Sequence, residues 1–115
     1  MIFEIRDYTI ENEWFDEYVI WAENHFIPFV KKRIVLIDFW VNSGVEAEID
    51  GSDPIITRNG QPNVTWIAMY NDKNERDEFY KSLKSDKEWN KIWGKHPKQD
   101  SYLHENSRFF KSIIK

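Results

Sequence analysis

From residue 2 to residue 9, apolar and polar positions alternate with a strand's period of two. Phe3, Ile5 and Asp7 share one side, and Glu4, Arg6 and Tyr8 the other. From 11 to about 33 the spacing lengthens to that of a helix, with Phe15, Tyr18, Val19, Ala22, Phe26, Phe29 and Val30 recurring at three- and four-residue steps. Pro28 lies inside that stretch, where it removes one backbone donor and clashes with the preceding turn, so the pattern predicts a long helix that bends or ends there. Two runs rich in β-branched and aromatic residues follow, IVLIDFWVN at 34–42 and NVTWIAMY at 63–70.

The segment between them, 43–62, carries the turn dipeptides Asp50-Gly51 and Asn59-Gly60 and two short β-like pieces at 45–49 and 55–57. It reads either as a hairpin insertion projecting past the sheet, suited to clasping a partner, or as a solvated loop. Residues 72–84 form a helix announced by a capping box, Asp72 as N-cap and Glu75 three positions on, with Arg76, Phe79, Tyr80 and Leu83 on one face. Ser85 and Asp86 start a short helix that runs to about Trp93 and stops near Gly94. Residues 95–106 read as a polar loop and 107–114 as a last strand.

The order β-α-β-β-α-β is the ferredoxin-like, split βαβ arrangement of the α+β class: one four-stranded antiparallel sheet with the helices on one face, in a single domain over 1–115. The other face then stays wet or meets a partner. Strand alternation divides the candidates. Phe3, Ile5, Val35, Ile37, Phe39, Val41, Ile67 and Met69 form a wholly apolar set, read as the helix-packed core. Glu4, Arg6, Tyr8, Asp38, Trp40, Trp66, Ala68 and Tyr70 form an aromatic set with charges in it, read as the open face. The chain is aromatic-rich, with 6 Trp, 5 Tyr and 8 Phe in 115 residues, and much of the Trp and Tyr surplus falls on that second set.

Charge and composition narrow the function classes. A formal net charge of -4 argues against a role on the nucleic-acid backbone. Lys81, Lys84, Lys87, Lys91, Lys95 and Lys98 have the spacing of a solvated helix face. No apolar run is long enough to span a membrane. The absence of cysteine removes disulfides, thiolate nucleophiles and Cys-ligated metals. His25, His96 and His104 are too scattered for a metal site, and no P-loop, GxGxxG or GxSxG motif occurs, so neither a metal nor a cofactor is expected. Asn63-Val64-Thr65 has the form of a glycosylation sequon but lies on a predicted strand, and it is read as chance.

The candidate ligand-binding residues are Glu4, Arg6, Tyr8, Asp38, Trp40, Trp66 and Tyr70. An aromatic wall with a few polar groups is the usual lining of a small-molecule site. Arg6 would pair with an anionic or carbonyl group through its planar fork, and Tyr8 and Tyr70 would donate hydrogen bonds. Asp38 or Glu4, if buried beside an aromatic wall, would have a raised pKa suited to a general base. The same residues also suit a purely structural network, with Arg6 bonded to Glu4 or Asp38. Arg76, Asp86 and Trp89 are accounted for by helix capping and packing.

Two stretches carry a family resemblance. Phe3-Glu4-Ile5-Arg6-Asp7-Tyr8-Thr9 resembles the E-L-R-x-Y-T opening strand of the NIPSNAP family. Tyr70-Asn71-Asp72, Glu75-Arg76, Leu83 and Asp86-Lys87-Glu88-Trp89 resemble its Y-x-D/S…E-R…L…D-P-E-W segment, with Lys87 standing where the family often has proline. Tyr18, Pro28 and Phe39-Trp40 also fall where members have similar residues, and 45–61 looks like an insertion. The resemblance implies a homodimer, a dimeric α+β barrel in which two sheets pack face to face. The resemblance leaves the activity mostly undefined; the aromatic-lined candidate site itself points to binding of an aromatic or carbonyl-bearing metabolite, with cofactor-free monooxygenase or isomerase chemistry as an alternative by analogy with other such barrels. An interaction module using the 43–62 segment is a further alternative. Haem binding of the kind seen in barrel-fold haem-degrading enzymes lacks its histidine on the second main helix. With no leader before the first strand, a bacterial cytoplasmic setting is expected.

Overall fold

The computed structural model describes residues 1–114. Four strands, β1 (Ile2–Ile10), β2 (Val35–Val41), β3 (Val64–Tyr70) and β4 (Tyr102–Phe110), form one antiparallel sheet in the order β2-β3-β1-β4. Its two central strands are in register through Arg6 opposite Trp66 and Ile5 opposite Ile67. Helices α1 (Phe15–Trp21), α2 (Ile27–Lys31), α3 (Lys73–Leu83) and α4 (Lys87–Trp93) cover one face. This is the expected α+β, ferredoxin-like arrangement.

The first helical region is continuous but not uniform. A 3₁₀ turn (Asn12–Trp14) leads into α1, and a π segment (Ala22–Phe26) joins α1 to α2, with the Ile27 N–H bonding back five residues to the Ala22 carbonyl. Pro28 follows at once. Its missing N–H and its ring's exclusion of the carbonyl four residues back favour the wider turn, so the helix runs on through the proline by way of a π segment. The capping box forms at Asp72, whose carboxylate accepts the Glu75 N–H at 2.8 Å. Asp86 caps α4 in the same way, accepting the Trp89 N–H at 3.0 Å.

Three expectations are corrected. First, the helices cover the opposite face of the sheet from the one expected. Val64, Trp66, Ala68 and Tyr70 alternate as buried residues on β3, joined by Glu4 and Tyr8 on β1, while Phe3, Ile5, Ile67 and Met69 point outward. Alternation assigned most residues to the right set, but the aromatic set is the covered one. Its charges are tolerated there because they pair with one another.

Second, 43–62 holds no strand. Its backbone is exposed and closed at the base by the Asn42 N–H to the Asn63 carbonyl, so the segment is a loop rather than a hairpin. Its short β-like pieces have no neighbouring strand to supply ladder bonds. Third, the last strand begins at Tyr102, earlier than the apolar run at 107–114 suggests. It lies at an edge of the sheet, where polar residues such as His104 and Glu105 face water while the ladder to β1 is kept.

A β-bulge between Leu36 and Asp38 shifts the register of β2, so Leu36 and Phe39 both turn toward the helices. Asn63, the sequon asparagine, donates its side-chain amide to the Ile10 carbonyl and accepts the Ile10 N–H, each at 2.9 Å, which ties the end of β1 to the start of β3.

Candidate functional site

Between sheet and helices lies a cavity of about 490 Å³. Arg6 and Tyr8 of β1 and Trp66 of β3 rise from the sheet. Tyr18 and Trp21 of α1, Phe26 of the π segment, Tyr80 of α3 and Trp89 and Trp93 of α4 close over them, with Tyr102 and Glu105 of β4 at the side. The π segment helps build this wall. Residues five apart lie about 140° apart around an α-helix, but bonding over five residues brings them to one face, and the Trp21 and Phe26 rings meet at 5.6 Å. Phe26 packs edge-on to Trp66 at 5.5 Å, and Trp66 stacks on Phe39 at 6.0 Å.

The polar end is organised by β1. Arg6 Nε donates to the Tyr8 hydroxyl at 2.9 Å, and its Nη1 donates to Ser107 Oγ at 2.9 Å and to Glu4 Oε2 at 3.2 Å. Trp66 Nε1 also donates to the Tyr8 hydroxyl, at 3.1 Å. A hydroxyl has two acceptor positions and one proton, so with both positions filled the proton of Tyr8 is left to donate. Glu4 is fully buried, and its Oε2 also accepts Arg76 Nε at 3.1 Å and Nη2 at 2.7 Å. Its Oε1, the Tyr70 hydroxyl and the Tyr80 hydroxyl are buried and have no partner among the described residues.

Burial pushes the phenols of Tyr18, Tyr70, Tyr80 and Tyr102 well above their usual range. They are neutral donors at neutral pH. His96, behind the wall, accepts the Lys98 N–H on Nδ1 at 3.1 Å, so its proton sits on Nε2 and points to the Tyr102 hydroxyl at 2.9 Å. Burial pushes this imidazole down to about 4.

Of the seven candidate residues, five lie on the helix-covered face. Arg6, Tyr8 and Trp66 line the cavity, and Glu4 and Tyr70 are buried on the same face. Asp38 and Trp40 do not join them. The bulge leaves both on the opposite face, where Asp38 is exposed and its carboxylate accepts the Phe39 N–H, so it neither pairs with Arg6 nor sits buried beside an aromatic wall. Glu4 is buried and bonds to Arg6, as the network reading anticipated. Sequence reasoning passed over Arg76, which grips Glu4, and Tyr80, which lines the cavity. Their spacing of four on one helix face was the available signal, and the Arg76 guanidinium lies 4.4 Å from the centre of the Tyr80 ring. Among the described residues, no group of three His, Asp or Glu is placed to hold a metal.

No family model matches this chain, and no curated protein matches it in sequence. Its fold does match solved structures. A NIPSNAP domain protein from Burkholderia xenovorans superposes with a TM-score of 0.69 at 19% identity, over 98% of this chain and 95% of that one. A NIPSNAP family protein from Agrobacterium tumefaciens gives 0.72 at 17% identity, over 96% and 90%. A putative antibiotic biosynthesis monooxygenase from Nitrosomonas europaea gives 0.59 at 5% identity, over 99% and 100%.

Proposed function

We propose that this NIPSNAP-like chain binds a small aromatic molecule bearing a carbonyl or similar acceptor group in the cavity between sheet and helices, and that it does so as a homodimer. The observation that carries the ligand reading is the Tyr8 hydroxyl, whose two acceptor positions are taken by Arg6 and Trp66 and whose proton is free beside an aromatic-walled cavity of about 490 Å³. Rings supply the dispersion surface for a flat ligand, and one fixed donor sets its orientation. The groups of that end that line the cavity are donors, the guanidinium of Arg6 and the phenols of Tyr8 and Tyr80, while the Glu4 carboxylate lies outside the lining, held by Arg6 and Arg76. Such a set holds and polarises an acceptor, and likeness to monooxygenases at 5% identity is a likeness of fold.

The homodimer is supported by the outward face of the sheet, where Val35 and Ile37 are 51% and 49% exposed beside Phe3, Ile5, Ile67 and Met69. A contiguous apolar patch of this kind is characteristic of an interface.

Titrating tryptophan fluorescence with 2-acetylnaphthalene and with naphthalene tests the ligand reading, because the two differ by the acceptor. The ketone should bind about threefold to tenfold more tightly, the worth of one neutral hydrogen bond. Tyr8→Phe should erase that difference, with its fold checked by circular dichroism because Arg6 Nε and Trp66 Nε1 lose their acceptor. Absence of binding by both probes would overturn the reading.

A further inference from the structure

We infer that the cavity selects an aromatic monoanion, its oxyanion received by Arg6 Nη2 and by the hydroxyls of Tyr8 and Tyr80. This rests on the ligand-binding reading above and narrows it from any acceptor-bearing aromatic to a negatively charged one.

The charge balance at the polar end is uneven. Two guanidiniums, Arg6 and Arg76, share the single buried carboxylate of Glu4, and all of their bonds to it fall on Oε2. Arg76 has a second anionic partner toward solvent, Asp77 at 3.2 Å. Arg6 has none. Its other partners, Tyr8 and Ser107, are neutral, and among the described residues its Nη2 takes no hydrogen bond. A guanidinium this deeply placed is costly to leave with half a counter-ion, and an anion entering the cavity supplies the missing half.

The surroundings hold the fork in place. The Arg6 guanidinium carbon lies 4.9 Å from the Tyr80 ring centre, 5.6 Å from that of Tyr8 and 5.8 Å from that of Trp66. These cation–π contacts offset part of the charge and fix the guanidinium against three rings. Both phenols that border it have a proton to give: that of Tyr8 because its acceptor positions are full, that of Tyr80 because its buried hydroxyl has no partner among the described residues. A buried hydroxyl without a partner is costly, and an acceptor in the cavity removes that cost. Two carboxylates, Asp100 and Glu105, also line the cavity, but both are exposed to water, and Asp100 is paired with Lys98 at 2.8 Å. Water and salt screen them, unlike the buried guanidinium.

Calorimetric titration of the full chain with 2-naphthoate and with its methyl ester separates charge from shape, since both carry the same rings and a carbonyl. Naphthoate should bind at least about tenfold more tightly, in the range of a charge-assisted over a neutral hydrogen bond. Arg6→Met should abolish that preference while Arg76 continues to hold Glu4. Tyr80→Phe removes a hydroxyl with no partner among the described residues, so it should fold normally and weaken naphthoate about threefold to tenfold, more than it weakens the ester. Equal or tighter binding of the ester overturns the anion inference and leaves the ligand reading standing. Absence of binding by either compound overturns both, and unchanged naphthoate affinity in Tyr80→Phe removes Tyr80 from the oxyanion site.

Discussion

His96 packs against Trp21 and Trp93 with ring centres 4.5 and 4.7 Å away and uses both nitrogens in hydrogen bonds. Protonation would add a hydrogen to Nδ1, which now accepts the Lys98 N–H, and would place a charge in an aromatic cluster. The unfolded chain takes up this proton near pH 6.5, the folded chain only near 4. Between those values acid therefore favours the unfolded state, and stability present above pH 6.5 is lost as the pH falls toward 4. The loss between pH 7 and pH 5 should be on the order of 2 kcal/mol, read as a lower urea midpoint. His96→Phe should flatten this slope, and an equally steep slope in that variant would show that another group carries it. Sequence reading left His96 in a polar loop, because Tyr18 and Trp21, which help bury it, come from α1, far away along the chain, and the nearby Trp93 alone gave no sign of burial.

At the scale of elements, what was legible followed local chemistry. Asp72 and Glu75 announced α3; Asp72 caps it as expected, while Glu75 Oε2 accepts the Asn71 N–H at 3.1 Å, one residue before the N-cap. Asp72→Ala should cost about 1 kcal/mol, a shift in urea midpoint without a change in slope. Pro28 announced an interruption of the helix, but the π segment found there also brings Phe26 against both Trp21 and Trp66, a tertiary demand no local pattern carries. The bulge at Ile37 was likewise hidden. IVLIDFW reads as an unbroken strand, and only pairing with β3 shows Leu36 opposite Ala68 and Asp38 opposite Ile67. That one extra residue sends Asp38 and Trp40 away from the face of Arg6, Tyr8 and Trp66, to which alternation had assigned them.

The whole molecule is a slab, 44 × 41 × 19 Å between its Cα extremes, with one layer of sheet and one of helices. Its radius of gyration, 15.3 Å, exceeds the roughly 13 Å of a compact chain of this length. Strand order and helix placement were readable from periodicity, but the face the helices cover was not. Alternation says which residues share a side, and a purely apolar side is a fair guess for the core when charges on the other side have no visible partners. Here Arg76, on α3, provides Glu4 with its partner and lets the charged aromatic side be buried. The aliphatic side, centred on the Ile5–Ile67 pair, is left toward solvent. If a second copy covers it, the wild-type chain should sediment as a dimer at micromolar concentration. Ile67→Glu would place a carboxylate at the centre of that interface, where it loses water without gaining a partner. In a monomer the same side chain reaches solvent beside Thr65 and Met69, so the domain should keep its fold. The variant should therefore sediment as a folded monomer with dimer affinity at least about a hundredfold weaker, given several kcal/mol for an unpaired buried charge. A wild-type chain that is already monomeric, or an Ile67→Glu chain that remains dimeric, would show that the sheets do not meet through this face.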